Sequence, residues 1–317
     1  GAEYAALADA VLNGLWPVVV DNFAEKHGEQ PGVGAAILGM GSLGSERLTA
    51  TSDLDVIIVY DAAGEEASDG RRPLNSRTYY ARLTQALVTA LSAPMAEGRL
   101  YEVDMRLRPS GRQGPVATSF DAFCTYQQEQ AWTWEHLALT RARPVAGAPE
   151  LGQRIEAFRK ALLTEKGDPV STLKDVRDMR DRIASAKTGI GPWEAKIGAG
   201  RMQDTELFAQ TAALLAGDPA RGISDQLAAG VAIGWLTPQD QQILHQAYAL
   251  ISNLQSATKL LCGEVLDFEL VGVGGTDLIL RETGAKSVDA LAASFAEQSQ
   301  AAADVIGAAL GRPPGLA

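Results

Sequence analysis

With 317 residues, 46% of them hydrophobic, the chain is long enough for one large or two medium cores and too apolar to be disordered. A net charge of −11 and a pI near 4.8 give no general attraction to nucleic acid or anionic membranes, so neither is expected as a partner. No run of about 18 apolar residues marks a membrane span, and no basic region followed by an apolar core marks a signal peptide. Cys124 and Cys262 stand far apart without a CxxC pattern, which fits a reduced, cytoplasmic setting with both thiols in packing roles. His27, His136 and His245 are scattered, so a zinc site is not expected, and any metal falls to carboxylates, which favour magnesium or manganese. The chain opens on Gly1 and reads as a fragment of something longer.

The spacing of Leu7, Val11, Leu15, Val18 and Phe23 predicts a helix over 3–27. Residues 34–40 read as a short buried strand, and a Gly/Ser-rich turn follows from Gly41 to Ser45. Residues 54–60 give the clearest strand, because β-branched residues dominate them. An amphipathic helix spans 76–92, with Tyr79, Leu83, Leu87 and Leu91 on one stripe. A further strand is predicted over 100–107, ended by Pro109-Ser110-Gly111. Strand signals then largely stop. Helices are predicted near 119–129, 149–163, 170–187, 202–216, 238–261 and 287–310, with breaks at Asp168-Pro169 and over Thr188–Pro192. The fold class is α+β: an N-terminal helical segment (1–33), a small mixed-sheet domain (34–147) and an all-helical domain (148–317).

The chemistry gathers around Gly41-Ser42 and Asp53-Leu54-Asp55. In a strand, residues i and i+2 share a face, so Asp53 and Asp55 point one way while Leu54 and Val56 enter the core. Two like charges about 7 Å apart on one strand face repel, and a divalent cation is the natural compensation. In the later strand Glu102, Asp104, Arg106 and Arg108 alternate with Tyr101, Val103, Met105 and Leu107. Asp104 is placed to complete a three-carboxylate cluster with Asp53 and Asp55. Arg106 and Arg108 are placed to meet polyphosphate, and Gly41-Ser42 to bring backbone N–H groups close to it. Singly, these features read more often as solvated turn residues and a solvent-facing edge strand. Their order, with ten residues between Ser42 and Asp53, favours metal-dependent nucleotidyl transfer.

This pattern resembles the nucleotidyltransferase superfamily that includes DNA polymerase beta. Gly39-Met40-Gly41-Ser42-Leu43-Gly44-Ser45-Glu46, Ser52-Asp53-Leu54-Asp55, Tyr101 to Gly111, Glu129 to His136 and Leu139 to Gly147 are similar to glutamine synthetase adenylyltransferases. The resemblance covers nearly the whole chain. It implies a polymerase-beta-like catalytic domain, ATP as substrate, two magnesium ions on Asp53, Asp55 and Asp104, and glutamine synthetase as partner. It also implies regulation by a PII-type signalling protein. The family is bifunctional: one half attaches AMP to a tyrosine and the other removes it by phosphorolysis. Tyr101–Gly111 and Ala131–His136 resemble the attaching half.

Departures stand beside the likeness. Ser42 occupies a position where the family usually carries Lys. Asp204 and Glu206 survive from a downstream family motif, while Arg201, Thr205 and Leu207 replace its usual residues; those two acids read equally as cleft residues and as helix-entry charges. Trp132, Trp134 and His136 read first as packing, and Arg141 and Arg143 are open between phosphate contacts and structural pairs. The rival functions are the AMP-removing half, a non-catalytic nucleotide- or partner-binding module, and a transferase acting on a small molecule.

Overall fold

The computed structural model describes residues 1–186, 191–262, 266–312 and 314. It divides into two compact units, Gly1–Leu48 with Ser52–Leu163, and Thr164–Ala317 with Thr49–Thr51. The first contains, in order, α1 (Ala2–His27), β1 (Gly34–Gly39), α2 (Gly41–Gly44), β2 (Leu54–Asp61), α3 (Ser76–Ser92), β3 (Val103–Asp104), β4 (Ala117–Ser119), α4 (Phe120–Glu129), α5 (Thr133–Leu139), β5 (Arg143–Gly147) and α6 (Pro149–Glu165).

Among the described residues the strands form one mixed five-stranded sheet, ordered β3-β2-β1-β5, with β4 also on β2. β1 runs antiparallel to both β2 and β5, with an irregularity at Ile37/Leu38 opposite β5. Alternation along β2 sorts its residues between two cores. Leu54, Val56, Ile58 and Tyr60 pack with α1 and α3. Ile57 and Val59 pack with Phe123, Leu139 and Ile155 of α4, α5 and α6. α3 begins where the Asn75 side chain accepts the Thr78 N–H at 2.9 Å, a standard N-cap. It buries the expected stripe Tyr79, Leu83, Leu87 and Leu91. Tyr80 stacks on Tyr60 at 4.2 Å and donates to the Pro31 carbonyl at 2.5 Å; burial raises its hydroxyl pKa.

The second unit is helical: α7 (Pro169–Ala186), α8 (Met202–Ala216), α9 (Ile223–Ala232), α10 (Pro238–Leu261), α11 (Gly272–Thr283) and α12 (Val288–Leu310). Its core includes Trp235, stacked on Phe208 at 4.7 Å. The Trp235 indole N–H donates to the carbonyls of Ala309 and Arg312, which satisfies the polar edge of a buried ring. No helix among the described residues is long and apolar enough to cross a membrane.

The structure corrects several expectations about the fold. The helix α1 buries Ala5, Ala8, Leu12, Trp16, Val19 and Val20, while Leu7 is 55% exposed and Val18 53%. Small alanines let the helix approach the sheet closely, so the contact face is rotated from the one that large residues mark. The strand expected over 100–107 pairs only at Val103–Asp104. Beyond it the Asp104 carboxylate accepts the Arg106 N–H at 2.7 Å, a local bond that competes with the ladder and turns the chain out of the sheet. The chain returns as β4 along the same edge of β2. Strand structure also continues past residue 118, because β5 closes the far edge of β1. Cys262 is exposed, unlike the half-buried Cys124, whose thiol burial pushes up to about 11. Of the expected break over Thr188–Pro192, residues 188–190 lie outside the described residues.

The α1 assignment is testable by urea denaturation. Leu12→Ala is expected to cost about 2–5 kcal/mol, the usual range for emptying a core leucine site. Leu7→Ala is expected to stay within about 0.5 kcal/mol, as surface changes do. Equal losses would restore the alternative face.

Candidate active site

Every residue that the sequence marks for catalysis lies in the first unit, and one short ladder organises them. β2 and β3 run parallel with Leu54 opposite Val103 and Asp55 opposite Asp104, and the Leu54 N–H donates to the Glu102 carbonyl at 2.8 Å. Neighbouring strands lie about 4.8 Å apart, so this register sets two carboxylates side by side. Asp53 is exposed and sits just before β2, two residues from Asp55.

On its other side Asp55 meets the turn after β1. The Met40 N–H donates to the Asp55 carbonyl at 2.9 Å. Gly41 then takes φ +50°, and a Cβ built there would stand 2.5 Å from Asp55 Oδ2. Glycine is required twice over, by the left-handed backbone and by the approach of a carboxylate. Ser42 follows within α2, half-buried. The turn is fixed by the Ser45 hydroxyl, which donates to the Gly41 carbonyl at 3.1 Å, and by Arg143, which reaches the Leu43 carbonyl and Asp9. Arg143 is therefore a structural pair. Its partners are Asp9 of α1 and, at 3.8 Å, Glu46.

Arg106 supplies positive charge at this cluster. Its Nε donates to Asp104 Oδ2 at 2.6 Å, and its Nη2 closes on the same oxygen. Burial alone would raise the Asp104 carboxyl. The Arg106 side-chain hydrogen bond, its backbone N–H and its charge outweigh that and hold Asp104 below the usual carboxylate range. The Arg106 guanidinium is stabilised in its charged form, first by the Asp104 hydrogen bond and charge and further by Asp55 and Asp53. One cation thus senses all three aspartates.

Arg108, expected at phosphate, has other bonds. Its guanidinium donates to the carbonyls of Met105 (2.7 Å), Arg112 (3.1 Å) and Gly114 (3.2 Å), which folds the 105–114 excursion onto itself. Tyr126 lies beside Ser110 of this excursion. The Tyr126 hydroxyl donates to the buried Glu135 carboxylate at 2.9 Å, and Glu135 also accepts the Trp132 N–H at 3.0 Å. Sequence reasoning missed Tyr126 and Glu135. The one available signal was an acid three residues into a helix start, the position that caps its own N-terminus. His136 packs as expected, with Nε2 2.9 Å from the Gln127 carbonyl. Trp132 is mostly exposed, at 70%, and Trp134 is partly covered, at 40% exposed. Arg141 is buried. In the second unit, Asp204 binds Arg180 and the Gly200 N–H, and Glu206 accepts from the Tyr248 hydroxyl.

The donors available to a divalent ion are the carboxylates of Asp53, Asp55 and Asp104. Among the described residues no three His, Cys, Asp or Glu side chains converge on one point. The arrangement is a carboxylate pair, Asp55 and Asp104, with Asp53 at the strand mouth and a guanidinium in attendance. Its ligand set is all oxygen and anionic, which suits magnesium or manganese over softer metals. It already tolerates a cation at Asp104, and Gly41 keeps a Cβ out of the space beside Asp55.

Comparison with known proteins identifies the family. The family model for glutamate-ammonia ligase adenylyltransferase matches residues 2–158. A protein of Xanthobacter autotrophicus is 43% identical over 267 residues, covering 82% of this chain and 27% of its own length. One of Rhizobium meliloti is 41% identical over 290 residues, covering 89% and 29%. One of Mesorhizobium japonicum is 40% identical over 305 residues, covering 95% and 31%. Each is named bifunctional glutamine synthetase adenylyltransferase/adenylyl-removing enzyme, and this chain spans less than a third of their length. With a mixed sheet that pairs Asp55 with Asp104 beside Gly41, the chain belongs to the glutamate-ammonia ligase (glutamine synthetase) adenylyltransferase family.

Proposed function

We propose that this chain transfers AMP from ATP to a tyrosine of glutamine synthetase and releases pyrophosphate. The observation that carries the proposal is the parallel register of Asp55 with Asp104 beside Gly41. The family resemblance supplies the substrates, and the flanks Tyr101–Gly111 and Ala131–His136 favour the attaching half over the removing half. We place catalysis in residues 34–147, with 1–33 and 148–317 as helical support, in a cytoplasmic protein whose regulator is of the PII type.

Asp53, Asp55 and Asp104 would hold magnesium, two ions on the family pattern. Bound divalent ions neutralise the triphosphate and favour in-line attack at the α-phosphorus. The backbone at Gly41 and Ser42 faces the phosphates, and the small Ser42 contributes a hydroxyl where relatives usually bring a lysine charge. Asp104, placed beside Asp55 by the strand register, takes the tyrosine proton as the new O–P bond forms. The bond from the α-phosphorus to the bridging oxygen breaks, and Arg106 meets the departing pyrophosphate. Arg108 shapes the loop that carries Arg106.

Asp53→Asn and Asp55→Asn are each expected to lower labelled-AMP incorporation into glutamine synthetase at least about a hundredfold, the scale of losing a charge-stabilising group. Thermal midpoints should hold or rise, because like-charge repulsion is relieved. Full activity in either variant at saturating magnesium would remove the metal assignment.

Direction is decided by supplying unmodified and adenylylated glutamine synthetase in parallel, one arm with ATP and one with phosphate. Intact mass should show AMP gained with ATP and little lost with phosphate. Rapid loss with phosphate and no gain with ATP would assign the chain to the removing half.

A further inference from the structure

We propose that Arg106 is a displaceable counter-ion, which occupies Asp104 until a divalent cation binds there and then passes to the phosphates of the nucleotide, so that the two ligands bind cooperatively. This inference rests on the proposed metal and nucleotide site and adds a regulation of it.

The two arginines after Asp104 are held differently. Arg108 is spread over three backbone carbonyls and cannot leave without unfolding its loop. The side-chain hydrogen bonds of Arg106 go to Asp104 among the described residues. The Arg106 side chain is 61% exposed, against 11% for Asp104. The carboxylate is therefore fixed and the guanidinium is free to swing. The exposed guanidinium end of the pair is open to solvent and to an incoming anion, so a nucleotide can draw it away.

The bonding of Asp104 divides in the same way. Oδ1 accepts the Arg106 backbone N–H at 2.7 Å, a bond that keeps the carboxylate oriented whether or not the side chain stays. Oδ2 carries the guanidinium and is the oxygen that has to be cleared for a cation. Once displaced, the guanidinium stays tethered beside the site, with a planar donor fork suited to phosphate oxygens. Without nucleotide, Arg106 competes with the cation. With nucleotide, it has somewhere else to go, and linkage makes each ligand favour the other.

The test is manganese binding to the full chain, followed by the electron paramagnetic resonance of the free ion. Arg106→Gln is expected to bind manganese about three- to tenfold tighter than the parent without nucleotide. Arg112→Gln removes another charge that acts on Asp104, and is expected to give a smaller gain. With manganese saturating, Arg106→Gln should bind α,β-methylene-ATP about tenfold more weakly. Circular dichroism checks the fold of each variant. If Arg106→Gln gains no more than Arg112→Gln while Asp55→Asn loses manganese, the counter-ion role is wrong and the site reading stands. If Asp55→Asn binds manganese as the parent does, both are overturned.

Discussion

Two residue pairs between β2 and β3, Leu54 with Val103 and Asp55 with Asp104, set the geometry on which the site depends. They force two carboxylates to neighbouring positions on adjacent strands, where like charges opposite each other are unfavourable. The surrounding structure offsets that cost with Arg106, whose charge reaches all three aspartates. The same carboxylate that needs the arginine also turns the chain toward it, because Asp104 accepts the Arg106 N–H. The edge of the sheet is consequently split into β3 and β4, and the 105–114 excursion between them brings Arg106 to Asp104.

The hydrophobic framework holds this arrangement in place. β2 sends alternate residues into two separate cores, so slipping its register by one residue would bury Asp55 and expose Val56. Gly41 closes the other side, where a Cβ would collide with the Asp55 carboxylate. Behind the excursion, Arg108 and the Tyr126–Glu135 pair fix loop backbone without entering the carboxylate cluster. Those side chains position the loop, while the aspartates and Arg106 form the proposed site.

Much of this was legible in the sequence where one rule dominated. β2 is dominated by β-branched residues and α3 carries one clear apolar stripe, and Asp53 and Asp55 take their places from the start of β2. The length of β3 was not legible, since Glu102, Asp104, Arg106 and Arg108 alternate as a strand does. Only the Asp104 carboxylate capturing a backbone N–H reveals a turn there. The α1 face was only partly legible: Val11, Leu15 and Phe23 do pack on the core, but alanines carry little weight in an apolar count, and Ala5 and Ala8 lie buried in it. β5 was missed because Arg143 and Pro144 look unlike a strand, and the position is an edge, where proline is tolerated. Arg108 illustrates a different limit. Sequence shows that an arginine follows the candidate aspartate, but not whether its donors go to a ligand or to carbonyls of its own loop.

The central claim is that the Asp55–Asp104 register, with Asp53, forms the cation site of AMP transfer. A crystal structure of the chain with manganese and α,β-methylene-ATP, phased for anomalous scattering, tests it most directly. The account predicts manganese peaks within about 2.1 Å of carboxylate oxygens of these three residues, with Arg106 moved from Asp104 to phosphate. Manganese held only by the nucleotide or at other residues, with Arg106 still on Asp104, would contradict it.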